Sequence, residues 1–273
     1  MLRWFTLIIA LGVLISCSSG PTGPEKGTPA YYWQAAKETF AAGDNMKALE
    51  HLDGILASEN EYSAKALPWS LVVTSGMATG SAELADHYET GARASKADPT
   101  WFRRRVGEYR TIAKQLSLQF ADRYAKFGQL KGDTVALAFG YPKGTAAPSP
   151  QLSKVTSGIA LPQADVDLAL AHTLERDVLL AACAAAGAPD DTAKGETVLK
   201  DPEAKVPRAT FNLAMAHTLY DLSQIYMPSK ADDPEKLKIF CERADAALKT
   251  VPESKETKAL STKIQVILKK KKS

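Results

Sequence analysis

The feature that most restricts the fold of this chain is the spacing of its large apolar side chains between residues 99 and 127. Trp101, Val106, Tyr109, Ile112, Leu116, Phe120, Tyr124 and Phe127 recur mostly three or four positions apart. That is the repeat of one face of an α-helix. At 1.5 Å per residue such a helix extends roughly 40 Å, long enough to be the backbone of a whole fold. Elsewhere beyond Pro29 no segment sustains the alternation of apolar and polar residues that marks a half-buried strand, and clusters of β-branched residues are few.

The punctuation is helical as well. Asp98-Pro99, Asp201-Pro202 and Asp233-Pro234 each set a capping oxygen before a proline suited to a first turn. Gly43-Asp44, Gly80-Ser81 and Gly187 mark stops or turns. Helices are predicted at about 30–42, 44–57, 61–79, 81–96, 99–127 and 130–138, then at 163–187, 203–227, 233–250 and 253–270, with a weaker one near 190–199. The expectation is an all-α array of about ten helices in two halves, 30–139 and 163–270. Between them, 140–162 carries Pro142, Gly144, Pro148, Pro150, Gly158 and Pro162. A stretch of that length without its own structure is uncommon inside a compact domain, so it is read as a linker or as a lid over a groove.

The N-terminus is of another kind. One early charge, Arg3, precedes an apolar run from Trp4 to Ile15, too short for a membrane-spanning helix of about 20 residues. The stretch Leu14-Ile15-Ser16-Cys17 resembles the lipobox of bacterial lipoproteins, although Ile15 is bulkier than the family usually carries. The resemblance implies a signal peptide over 1–16, lipidation of Cys17 and a firm, multiply acylated membrane anchor. Residues 17–29, rich in Ser, Gly and Pro, then read as a tether. Ser18 stands where an Asp favours inner-membrane retention in many Gram-negative bacteria, which implies the outer membrane.

Two segments carry a second resemblance. Over 31–56, Tyr32, Gly43, Ala48 and Leu52 resemble one tetratricopeptide unit, with Ala36, Thr39 and Asn60 departing from its pattern. Over 233–252 the chain is similar to the second helix of another unit, with Phe240 where a small residue is usual. An internal echo, Leu168-Ala-Leu-Ala-His172-Thr173-Leu174 against Leu213-Ala-Met-Ala-His217-Thr218-Leu219, recurs 45 residues on. Together these imply a degenerate tetratricopeptide-like α-solenoid or irregular helical-repeat array with a groove.

With 34 basic and 31 acidic residues, and four of the lysines at 269–272, the body is close to neutral. No broad basic face suggests nucleic acid. With Cys17 lipidated, Cys183 and Cys241 remain. In an oxidising compartment they form a disulfide, closing about 58 residues for roughly 4 kcal/mol in the chain-entropy model, or stay as buried thiols. Neither they nor His51, His87, His172 and His217 have metal-ligand spacing. No nucleophile elbow or phosphate loop is present, and no cofactor is implied. His172 and His217 either converge on a groove or bond neighbouring helices. Arg103-Arg104-Arg105 covers nearly a full turn, so either the run is a solvated face or at least one guanidinium points inward or into a groove, where Glu108 and Asp98 are the carboxylates near in sequence.

Aromatic residues crowd the first half. Most belong to a core; Tyr62, Trp69, Trp101 and Tyr109 are the candidates for a binding surface. The leading expectation is a membrane-anchored, non-catalytic adaptor that holds a protein or peptide partner in the cell envelope. The alternative is a small-molecule-binding lipoprotein serving a solute transporter, favoured by an enclosed cavity with Trp69 or Trp101 in its wall.

Overall fold

The computed structural model describes residues 23–269. Cys17, the leader 1–16 and most of the lysine tail lie outside the described residues. Among those described are ten α-helices, one 3-10 turn at 224–226 and a single pair of three-residue strands. The architecture is the expected all-α array, irregular in the lengths of its helices.

Helices α1 (Pro29–Ala42) and α2 (Asn45–Leu56) form a hairpin at the predicted turn. Thr28 caps α1 by accepting the Tyr31 N–H. Gly43, at φ 85°, closes it, with its own N–H and that of Asp44 reaching back to the carbonyls of Phe40 and Thr39. Asp44 then accepts the Lys47 N–H and starts α2. The two helices approach where Gly54 meets the ring of Tyr32.

The centre is an antiparallel pair, α3 (Ser63–Ala94) and α4 (Thr100–Phe127). Of the predicted stripe on α4, Val106, Tyr109, Leu116, Phe120 and Phe127 are buried and Trp101, Ile112 and Tyr124 half-buried. The two helices expected at 61–79 and 81–96 are one. Gly80 does not stop α3; with Gly76, one turn earlier, it lets α6 (Gln163–Ala185) come close. A Cβ on Gly76 would stand 2.4 Å from the Cα of Val178. A Cβ on Gly80 would stand 3.0 Å from Oδ2 of Asp177.

The helix expected over 130–138 is instead β1 (Thr134–Ala136) and its continuation. Val135, Leu137 and Phe139 are buried while Thr134, Ala136 and Ala138 are not, a period of two rather than 3.6. β1 pairs antiparallel with β2 (Lys205–Pro207), Val135 opposite Val206. That strand also displaces the start of the helix expected at 203; α8 runs Arg208–Ser223. Asp201 accordingly closes a turn by accepting the Glu203 N–H rather than capping a helix.

The segment 140–162 is neither featureless nor a divider. It crosses α6, where Lys143 meets Glu175 at 3.1 Å and Gly144 lies against the Glu175 backbone. It then forms α5 (Gln151–Thr156), whose Leu152 and Val155 are buried against the C-terminal end of α3 with Tyr88, Phe102 and Tyr109. Gly158, at φ 83°, fits against the backbone of Ala94 and Ser95. One larger core unites both halves, from Phe40 and Trp69 through Phe120 and Phe211 to Leu260 and Ile264. The last helices complete it: α7 (Thr192–Leu199), α9 (Pro234–Leu248, capped by Asp233 as predicted) and α10 (Lys255–Lys269).

Candidate functional groove

Of the four aromatics considered for a binding surface, Trp69 and Tyr109 are core residues and Tyr62 and Trp101 are half-buried. Trp69 is 1% exposed and stacks on Phe139 at 4.7 Å between ring centres, with Phe40 edge-on at 5.2 Å. Tyr109 is 1% exposed beside Tyr88. Tyr62 and Trp101 are half-buried against Trp33 and Phe102 respectively. Aromatic area this large is best removed from water, and the rings satisfy one another in tilted and edge-to-face pairs. The disulfide is not formed either. Cys183 on α6 and Cys241 on α9 are buried free thiols in separate surroundings. Cys183 lies under Gly195 of α7, and the Cys241 thiol donates to Ser223 Oγ at 3.6 Å. Burial pushes the Cys183 thiol up to about 11.

A broad concavity among the described residues is a groove of about 550 Å³ walled by α6 and α8, with residues of α3 and the start of α10 also lining it. Its apolar stripe is Leu180, Ala181 and Ala184 from α6 and Leu213 and Ala214 from α8. Its polar groups include Ser75 and Thr79 from α3, Asp177 from α6, Asp190 after it, Thr210, His217, Thr218 and Asp221 from α8, and Glu256 from α10. No lysine or arginine among the described residues lines it; Lys263 of α10 acts on Asp221 from nearby. Segment 140–162 contributes no lining residue, so it is no lid over this groove.

Of the two histidines in the internal echo, the groove holds His217, with Nε2 3.0 Å from Glu256 Oε1. His172 does not join it; its Nδ1 is buried without a partner. Leu213 and Leu180 project into the groove because α6 and α8 pack side by side.

Asp177 has no place among the residues that the sequence pattern marks, and it is the most unusual group in the wall. It is 4% exposed. Its Oδ1 accepts from Arg176 Nε at 2.8 Å and Nη2 at 2.6 Å, while Oδ2 has no partner. Arg176 also donates to Glu83 of α3, which in turn meets His87 Nε2 at 3.1 Å. Burial raises Asp177 to about 6 against the opposing pull of Arg176. Burial works against Glu83 too, but hydrogen bonds from His87 and Arg176 and the guanidinium charge prevail and hold it near 2. Asp221 is also raised, by the atoms crowding it in the groove, although His217 and Lys263 oppose this. The only signal in sequence is the charged run Glu175-Arg176-Asp177 within a largely apolar helical stretch.

The run of three arginines is not a wholly solvated face, because one of them turns inward. Arg105 is buried, pairing with Glu108 at 2.9 Å and with Gln163 of α6 at 2.6 Å. No group of three or more metal-ligating side chains converges among the described residues. None of the described helices is long and apolar enough to cross a membrane. Comparison with known proteins returns no matching family model, no matching curated protein and no matching solved structure.

Proposed function

We propose that this chain is a lipid-anchored, non-catalytic helical-repeat protein of the cell envelope that holds a partner polypeptide in the groove between α6 and α8. The observation that carries the reading is the groove itself. It is open to solvent, about 550 Å³ in volume, and combines an apolar stripe with polar groups spread from α3 to α10. A surface of that kind accommodates an extended segment, whereas a catalytic site needs groups converging on one reacting atom. The lipobox resemblance at Cys17 supplies attachment, and Ser18 favours the outer membrane facing the periplasm.

Two measurements test this. Cys17→Ser should abolish incorporation of a labelled fatty acid and release the protein from membranes; retention in the membrane fraction would count against the anchor. A photo-crosslinking amino acid at Leu213 or Thr218 should capture one stoichiometric partner in intact cells. Capture at an exposed site away from the groove, such as Leu118, but not at these positions would count against the groove.

The transporter-linked, small-molecule reading has one observation in its favour. Trp69, with its indole N–H unpartnered, lines a cleft of about 180 Å³ shared with Trp33, Lys65 and Lys205. A titration of tryptophan fluorescence with small organic ligands tests it; the absence of any response that is lost in Trp69→Phe would set it aside.

A further inference from the structure

We infer that the groove selects a basic segment of its partner, with a lysine or arginine side chain entering beside Asp177. The inference rests on the reading of the groove as a docking surface and adds the chemistry of the occupant.

Three features point the same way. Asp177 is more than nine-tenths buried, has one oxygen held by Arg176, and has the other without a donor. Oδ2 lies against Gly80 at the α3–α6 seam; a buried carboxylate oxygen without a donor is costly, and a donor that reaches it from the groove side of Asp177 relieves that cost. At the α3–α6 seam Glu83 and Asp177 also share the single guanidinium of Arg176, so Asp177 has no cation to itself. Beyond Asp177, the groove continues with Asp221, Glu256 and Asp190. These carboxylates are dispersed along the groove rather than gathered round one point, the arrangement that suits a polypeptide rather than a metal ion. The stripe of Leu180, Ala181 and Leu213 offers apolar surface to the methylene stem of a lysine whose head reaches a carboxylate.

The test uses the full lipidated chain in detergent and three fluorescent peptides of one design, alternating leucine with lysine, glutamine or glutamate. The readout is fluorescence polarisation near neutral pH and at about 0.15 M salt, where exposed charges are largely screened. The lysine peptide should bind at least about tenfold more tightly than the glutamine peptide, a difference of about 1.4 kcal/mol. Asp177→Asn should remove most of that preference. In case this variant folds poorly, Asp221→Asn and Glu256→Gln, both at exposed positions, should each reduce it severalfold with normal circular dichroism.

A pH series separates Asp177 from its neighbours. The charged groups acting on it are Arg176 on its own helix and Glu83 on α3, which His87 also bonds; His217 and Asp221 on α8 and Glu256 on α10 line the same groove. Lysine-peptide affinity should weaken as the pH falls through about 6, where Asp177 takes up its proton. The fall should persist in His217→Gln and flatten in Asp177→Asn. Equal binding of all three peptides, or tighter binding of the glutamate peptide, overturns the basic preference and leaves the docking reading intact. Failure of every peptide to bind overturns both. Self-association that disappears when residues 269–273 are removed overturns the partner assignment in favour of a second copy of this chain.

Discussion

Replacing Gly76 with alanine tests whether α3 and α6 are held together by close backbone approach. At an exposed helix position the change stabilises, because alanine favours the helix by about 0.8–1.0 kcal/mol over glycine. Gly107, mid-helix in α4 with nothing within 4 Å of where a Cβ would stand, is the internal standard, and Gly107→Ala should raise stability by about that amount. At Gly76 the added carbon would lie 2.4 Å from the Cα of Val178, 2.6 Å from its nitrogen and 2.7 Å from the carbonyl oxygen of Asp177. All three are backbone atoms, so no rotamer change relieves the clash. The helices must separate by about 1 Å, opening the packing of Val72, Val73 and Val178 and stretching the Arg176–Glu83 pair. Overpacking of this kind typically costs about 1–3 kcal/mol. Steric cost therefore offsets or exceeds the propensity gain, and the net expectation is a loss of up to about 2 kcal/mol in place of the gain at Gly107. Urea unfolding followed by far-ultraviolet circular dichroism measures both variants against wild type. For a chain of this size 1 kcal/mol moves Tm by about 2–4 °C. If Gly76→Ala stabilises as much as Gly107→Ala, close backbone approach is not what holds the seam.

Two further outcomes follow from the same geometry. Gly195→Ala would set a Cβ 2.5 Å from Cys183 Sγ, so it should destabilise by about 1–2 kcal/mol, and Cys183→Ala should recover part of that loss. Strictly additive effects in a double-mutant cycle would show that the two residues do not meet. The Glu83–Arg176–Asp177 cluster sets a pH dependence with two limbs. Glu83, lowered to about 2 in the fold, contributes stability present above its unfolded value near 4.5 and lost as pH falls towards 2. Asp177, raised to about 6, favours the fold while protonated and loses that advantage as pH rises from near 4 through 6. Asp177→Asn should flatten the upper limb alone, so denaturant midpoints that decline equally from pH 5 to 7.5 in both proteins would refute the assignment.

The helical periodicity of α4 is legible because a long amphipathic helix writes its buried face into the sequence at 3.6-residue spacing, and the Gly43-Asp44 turn is legible because its hydrogen bonds are local. Misreadings arise where tertiary contacts reassign a local signal. Gly80 looks like a stop, yet inside α3 it is an absence of side chain that makes room for α6. The run Val135-Ala136-Leu137-Ala138-Phe139 looks helical because alanine and leucine favour helices, yet strict alternation of its burial marks a strand whose partner, at Val206, lies far along the chain. Trp69 and Tyr109 cannot be sorted from surface aromatics in sequence, because their burial depends on Phe139 and Tyr88 arriving from other segments.

The groove is illegible in sequence for a related reason, and its charge follows from how it is made. Its carboxylates come from four separate segments, and each has an ordinary local explanation: Glu256 in the first turn of α10, Asp190 beside the Asp191 cap of α7, Asp221 within α8, and Asp177 next to Arg176. Only the packing of α6 beside α8 brings them to one concavity. The packing of α6 against α3 divides Arg176 between Asp177 and Glu83 at the seam, and Arg176 does not line the groove. Close approach through Gly76 and Gly80 therefore helps to keep Arg176 at the seam, while the groove's lining carries carboxylates and no lysine or arginine. A variant that loosens the seam should weaken both the fold and any preference of the groove for cations, whereas Asp221→Asn should alter the second without the first.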